Sequence, residues 1–264
     1  MVFLRGMGRG RKIALLVAAC VVVLAGLAWL NRPRDEPTRP TVDDAVRSFR
    51  AESESGGAGA GPKGPALGVY RYATRGSETV KGAAFGATHD YDGVSTIVLS
   101  AGRCGARERW QVLAGRWSEG EACPVKNGET STTVTEFHEF FGSGQEDSFH
   151  CHGISASGTS TLRAGARFSS VCKSEDSSIS TASRVVGVER VAVGAESFDA
   201  IRVESRSTLG GKTSGSAKRE EWRRRSDGLL LRRSAESEAD TSAGGGSHYS
   251  ERYTLQLLST KPRR

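Results

Sequence analysis

The residues with the clearest capacity for chemistry lie between positions 136 and 152 of the 264-residue chain: Glu136-Phe137-His138-Glu139 and His150-Cys151-His152. Residues i and i+2 of a strand share a face, so His138, His150 and His152 on adjacent strands would offer three imidazoles to zinc or copper. The spacing matches no metal-ligand motif such as H-E-x-x-H, and Cys151 reads as a disulfide partner, which leaves its histidines on a solvated strand. His89-Asp90-Tyr91-Asp92-Gly93 opens like a calcium loop, but Ser95 and aliphatic residues follow instead of further carboxylates, so a hairpin turn is the expectation. Gly142-Ser143-Gly144 is the nearest approach to a nucleophile elbow and lies in a polar run. On these residues no catalytic group, metal ligand or cofactor site is assigned, and the chain is expected not to be an enzyme.

Four further residues carry covalent chemistry. Cys104, Cys123, Cys151 and Cys172 form no C-x-x-C motif, and an even count in an exported chain reads as disulfides. Three connectivities are open. Pairing of sequence neighbours is favoured, since it closes two loops of about 20 residues, each worth on the order of 3 kcal/mol in the loop-entropy model.

Trp222-Arg223-Arg224-Arg225, with Arg232 and Arg233 beyond Ser226-Asp227-Gly228, reads as a basic hairpin. Alternating arginines on a strand form a solvated face, here with Glu220, Glu221, Glu236 or Glu238 as partners. The functional alternative is contact with anionic lipid headgroups or envelope polymers. The formal charge of +7 does not argue for nucleic acid, because residues 1–40 hold seven basic and two acidic residues while the remaining 224 hold 30 and 28.

The elements that must position these groups are strands. Tyr70 and Tyr72, Ile201 and Val203, and Tyr253, Leu255 and Leu257 alternate with polar residues, and Asp92-Gly93 and Asp227-Gly228 are two-residue hairpin signals. No convincing helical period occurs after residue 65. The expected fold is mainly β: a curved antiparallel sheet, a half-barrel or open barrel, preceded by one N-terminal transmembrane helix and a short amphipathic helix.

Ile13 to Leu30 is an eighteen-residue run without charge, about 27 Å as a helix, with Trp29 at its outer end and four basic residues before it. It reads as a single-pass anchor with a cytoplasmic N-terminus and an extracytoplasmic remainder. Cleavage after Gly26-Leu27-Ala28, or lipidation of Cys20 in Val17-Ala18-Ala19-Cys20, are the rival readings, and export is common to all three. The organisation is then a cytoplasmic tail 1–12, an anchor 13–30, a Pro- and Gly-rich linker 31–65 with a helix over 42–50, an exported β domain 66–259 and a basic tail 260–264. Within the linker, Thr41 is the cap, and Val42, Ala45, Val46 and Phe49 recur on one helical face.

Two stretches carry a resemblance: Gly187 through Val203, with Glu189, Val191, Val193, Gly194, Phe198 and Ala200 at its marked positions, and Glu221-Trp222 to Asp227-Gly228-Leu229 with Leu231 and Arg232. They resemble a pattern of exported bacterial β domains similar to the curved half-barrel of lipoprotein carriers of the LolA type. A weaker opening at Gly68-Val69-Tyr70-Arg71-Tyr72 extends it, and the anchor and Gly/Ala/Arg/Val-rich usage look actinobacterial. The resemblance implies a concave apolar face that accepts acyl chains. It is a motif of folding residues and transfers no functional ones.

The functional expectation is a non-enzymatic cell-envelope protein that binds an apolar or lipid-like ligand in the concave face of its sheet, lined by Tyr70, Tyr72, Trp110, Ile201, Val203, Trp222, Tyr253 and Leu255. A closed core built from the same residues, with no room for a ligand, is the plain alternative. Two others stay open: a protein-interaction ectodomain docking through a sheet edge or the arginine hairpin, and a hydrolase or His-metal site that the motifs do not advertise.

Overall fold

The structure, a computed structural model, describes residues 37–55, 64–83, 86–125, 128–154, 162–241 and 246–264. The expected anchor at 13–30 and tail at 1–12 lie outside the described residues. Among the described residues no helix is long and apolar enough to cross a membrane.

Helix α1 (Val42–Ser55) runs five residues beyond the expected end at 50. Its start is a reciprocal cap: the Thr41 hydroxyl accepts the Asp44 amide at 3.1 Å, and the Asp44 carboxylate accepts the Thr41 amide at 3.0 Å. The face carrying Ala45, Val46 and Phe49 packs on Val69, with Val42, Leu67 and Val98 beside it.

The rest is strand: β1 (Gly68–Gly82), β2 (Gly86–Asp90), β3 (Gly93–Ala101), β4 (Ala106–Leu113), β5 (Arg116–Val125), β6 (Gly128–Phe140), β7 (Ser143–Gly153), β8 (Arg167–Lys173), β9 (Ser177–Val193), β10 (Glu196–Gly211), β11 (Thr213–Arg224), β12 (Leu230–Thr241) and β13 (Ser247–Leu257). From β3 to β13 each strand pairs antiparallel with the next, and β13 returns to β1 over residues 72–82, which closes a 12-strand barrel.

This corrects the expected half-barrel. The reason lies in β1, which is long enough to pair along one edge with β13 while its other edge serves β3 over 68–74 and then β2 over 77–81. The change of neighbour falls at Gly76, whose φ of 139° places Arg252 O only 2.1 Å from where a Cβ would sit. Closure removes the free edges that an open sheet presents. Among the described residues, β2 is the strand left with one unpaired edge.

Asp92-Gly93 is not a hairpin turn. β2 and β3 do not pair with each other; both lie along the same edge of β1, and the dipeptide is a kink between them. The kink sends Tyr91 inward, fully buried, with its amide donating to Gly76 O at 2.8 Å. Asp227-Gly228 does turn a hairpin, between β11 and β12: Gly228 takes φ 80°, and the Arg224 amide donates to Leu229 O at 2.7 Å.

Apolar side chains concentrate at one end of the barrel, where Tyr70, Tyr72, Ile97, Trp110, Leu231 and Leu255 belong to a single packed cluster. The chain's end, read as a basic tail, docks here: Val69 and Arg263 exchange both backbone hydrogen bonds at 2.9 Å. Outward positions of β9 to β13 carry Arg184, Arg206, Lys218, Glu236 and Arg252.

Candidate functional site

Strand alternation fills the barrel interior with one residue in two from each wall. At the apolar end this gives the packed core; further along it gives a cavity of about 840 Å³, within the range of small-molecule sites. Two charged clusters cross the lumen and hold opposite walls together.

The first joins β1 and β13 to β5 and β6. Glu78 and Glu251 stand directly opposite each other in the β1–β13 ladder, and Arg116 and His138 stand directly opposite in the β5–β6 ladder. Across the lumen Arg116 grips Glu251 with two bonds, Nε to Oε1 at 2.9 Å and Nη2 to Oε2 at 3.2 Å. The Tyr91 hydroxyl donates to Glu251 Oε1 at 2.8 Å. Glu78, fully buried, lies 3.0 Å from His89 Nδ1 and 3.1 Å from His138 Nδ1, and it accepts the Tyr249 hydroxyl at 3.1 Å. His138 Nε2 faces Glu136 at 3.7 Å.

Burial alone would raise the Glu78 pKa, but the bonds from His138 and His89 outweigh it and hold the carboxyl down to about 2. Glu136 is likewise held to about 2, with burial overcome by His138 and Arg116. Burial and Arg116 push the His138 pKa down, yet the two carboxylates on its ring nitrogens win and raise it.

The second cluster joins β4 to β11 and β12. Arg233 donates from Nε to Glu221 Oε1 and from Nη2 to Glu108 Oε1, both at 2.7 Å, while Arg223 Nε donates to Glu221 Oε2 at 2.8 Å and also faces Glu108. Two carboxylates and two guanidinia alternate in a neutral ring. Burial would raise the Glu221 pKa, and the two arginines hold it well below the carboxylate range.

Beyond the clusters the wall is a sleeve of small residues. Ser183 and Ser205 share a hydrogen bond at 2.9 Å, as do Thr181 and Ser207 at 2.8 Å, so one hydroxyl proton of each pair is used within the wall. Ala217, Ala235 and Ala239 continue the surface, with Ile179, Val203 and Leu209 as its larger apolar members.

The expected ligand-face residues divide. Tyr72, Trp110 and Tyr253 are buried in the packed end and bound the cavity only from beneath, with Trp110 and Tyr253 stacked at 4.4 Å, and Val203 borders it from β10. Tyr70 and Leu255 are spent in the packed end, and Ile201 is buried with Val185 under Leu162, Ala166 and Phe168. Trp222 faces away from the lumen, because its neighbours Glu221 and Arg223 face in. It lies under Arg202 and Arg232, whose guanidinium carbons sit 5.4 and 4.8 Å from its ring, and its indole donates to Glu189 at 2.7 Å.

The basic hairpin dissolves by the same alternation. Arg223 and Arg233 point inward to their carboxylates, Arg232 covers Trp222, and Arg224 pairs with Asp227.

The three histidines do not converge. His150 pairs with Thr133, an odd number of residues from His138, so the two occupy opposite faces of the wall, and His152 is exposed. His138 is instead flanked by two carboxylates, Glu78 hydrogen-bonded at 3.1 Å and Glu136 at 3.7 Å. Its described partners are carboxylates and aromatic rings, with no hydroxyl or thiol nucleophile in a triad-like contact. The arrangement is suited to holding charge in a buried place.

Cys104 is joined to Cys123 and Cys151 to Cys172, each cysteine with its neighbour in sequence. The first ties the β3–β4 loop to β5, and the second bridges directly opposed positions of β7 and β8.

Sequence reasoning missed Glu78, Glu108, Arg116, Arg219, Tyr249 and Glu251. The signal was present: Leu255 and Tyr253 read as inward, and the same two-residue step continues to Glu251 and Tyr249.

No protein-family model matches the chain, and no curated protein matches it. Among solved structures it is similar to the hypothetical lipoprotein YmcC from Escherichia coli, at 12% identity and a TM-score of 0.35, over 86% of this chain and 99% of that one. It is also similar to a protein from Bacteroides fragilis with a YmcC-like fold, at 10% identity and a TM-score of 0.32, over 74% of this chain and 96% of that one.

Proposed function

We propose that this barrel is a non-enzymatic binding protein of the cell envelope, held at the membrane by residues 13–30, that takes the apolar chain of a lipid-like ligand into its lumen. The observation that carries the reading is the cavity of about 840 Å³, in which a sleeve rich in alanine, serine and threonine opens beyond the two charged clusters that separate it from the packed apolar end. Such a wall buries hydrocarbon at about 25 cal/mol per Å² and leaves few of its own polar groups in want of partners. The container differs from the open apolar face that the carrier resemblance implies: the ligand is surrounded by strands on all sides. The two disulfides and the basic-flanked apolar segment support an exported, oxidising location.

The test is native mass spectrometry of the full chain, produced with export and released from lipid nanodiscs. A retained lipid-sized mass that is lost on mild organic extraction is the expected result. A bare chain, four hydrogens lighter than its reduced form, would overturn the reading and turn attention to the outer surface.

A further inference from the structure

Arg219 is unlike the other arginines of the lumen. Arg116, Arg223 and Arg233 are each locked to buried carboxylates, whereas the Arg219 guanidinium has no hydrogen bond or ion pair among the described residues. It is nonetheless inside the barrel, sharing its face of β11 with Ala217, Glu221 and Arg223, all of which line the cavity. In the β11 register it stands two residues from Glu221, on the side away from the Asp227-Gly228 turn, and its charge acts on Glu136, Glu221 and Tyr253.

Its neighbours explain its freedom. In the ladder, Arg219 stands between Ser205 on β10 and Ala235 on β12, and Ser205 is already bonded to Ser183. Small residues on both sides leave the long side chain over open cavity, still exposed although it points inward. The nearby acids are engaged elsewhere: Glu221 between Arg223 and Arg233, and Glu136 at His138. A guanidinium with its donors unused, at the edge of an apolar sleeve, is a fork for an oxyanion.

We infer that Arg219 is the headgroup anchor of the lumen, and that the ligand is an amphiphile with an anionic oxygen head, carboxylate or phosphate, and a hydrocarbon chain lying against the alanine and serine wall. This rests on the lumen-binding reading above and names its ligand class.

Photo-crosslinking on the full chain in its own membrane separates the two. The probes are a diazirine-bearing dodecanoic acid and its uncharged methyl ester, with crosslinked peptides mapped by mass spectrometry. Wild type should crosslink the acid on lumen positions of β9 to β13, about tenfold better than the ester, the difference expected of a charge-assisted pair. Arg219→Gln should abolish that preference and leave the ester unchanged, Arg219→Lys should retain most of it, and Arg206→Gln, on the outward face of β10, should change nothing. Competition by unlabelled dodecanoate against dodecyl phosphate tells which oxyanion is preferred. Equal labelling by acid and ester, or an Arg219→Gln protein that still prefers the acid, overturns the anchor and leaves the cavity reading intact. Absence of lumen crosslinks from either probe overturns both.

Discussion

Glu78 and Glu251 face each other directly across the β1–β13 ladder, two carboxylates at the seam where the barrel closes. Like charges in that position repel. They are tolerated because Arg116 and His138, themselves a cross-strand pair on β5 and β6, meet them from the opposite wall. The seam is thereby tied through the lumen as well as by its backbone ladder.

A pH dependence of stability follows. Glu78 is held at about 2 against an ordinary value of 4.5, so its stabilising contribution is complete above 4.5 and is lost as pH falls toward 2. His138 is raised above 6.5, so its contribution is complete below 6.5 and is lost as pH rises through its folded value. Urea unfolding across the pH range should therefore show greatest stability between about 4.5 and 6.5, with an acid limb and a neutral-to-alkaline limb. His138→Gln should flatten the alkaline limb, and Glu78→Gln should shrink the acid limb by on the order of 3 kcal/mol. A His138→Gln protein with an unchanged alkaline limb would show that the ion cluster does not form.

Glu108 and Arg233 make the corresponding tie from β4 to β12, strands that are not neighbours in the sheet. Replacing Arg233 by Met strands Glu108 and Glu221 beside a single arginine, and the expected loss is about 3–5 kcal/mol. The combined Arg233→Met, Glu108→Leu protein should recover part of it, because one of the stranded charges is then gone. The check is a double-mutant cycle by urea denaturation. Additive losses would mean that the two side chains do not interact.

The disulfides close loops with sequence separations of 19 and 21. Changing either pair to alanines should cost on the order of 3 kcal/mol in the loop-entropy model. Cys151→Ala with Cys172→Ala should cost more than its partner pair, since these side chains also pack with Phe149 in the wall. Thermal melts of the two variants decide it, and equal losses would assign the whole effect to chain entropy.

Much of the fold is legible in local pattern. Alternation of Tyr253, Leu255 and Leu257, or of Ile201 and Val203, marks strands because a pleat repeats every two residues. The capped helix from Val42 is legible for the same kind of reason. What was not legible is non-local. Whether the last strand meets the first depends on the length of β1 and its bend at Gly76, and an open sheet of the same strands would show the same alternation. The phase of a strand can also mislead: Trp222 is buried with the apolar cluster, but it faces away from the lumen, where two arginines lie over its ring. The lumen charges are not legible from apolar alternation alone, because this barrel places Glu251, Arg233 and Glu221 on the same inward rows as its apolar residues.

Gly76 is the position on which closure depends most directly. Its φ of 139° is one that residues with a side chain rarely adopt, and a Cβ there would lie 2.1 Å from Arg252 O and 2.6 Å from Tyr253 Cα, both backbone atoms of β13 that cannot swing aside. Its carbonyl also accepts the Tyr91 amide, so the bend that spares the clash is the one that admits Tyr91 to the lumen and to Glu251. Gly76→Ala must either push β13 away or unbend β1, and both separate Glu78 from its partners. The expected cost is about 2–4 kcal/mol, the range of backbone strain combined with lost buried bonds. Hydrogen exchange locates the damage: amides of residues 72–82 and 247–257 should exchange faster in the variant, while those of the β9–β10 ladder should not. Uniform acceleration over the whole barrel would mean that the seam is no weaker than any other pairing, and that closure does not rest on this residue.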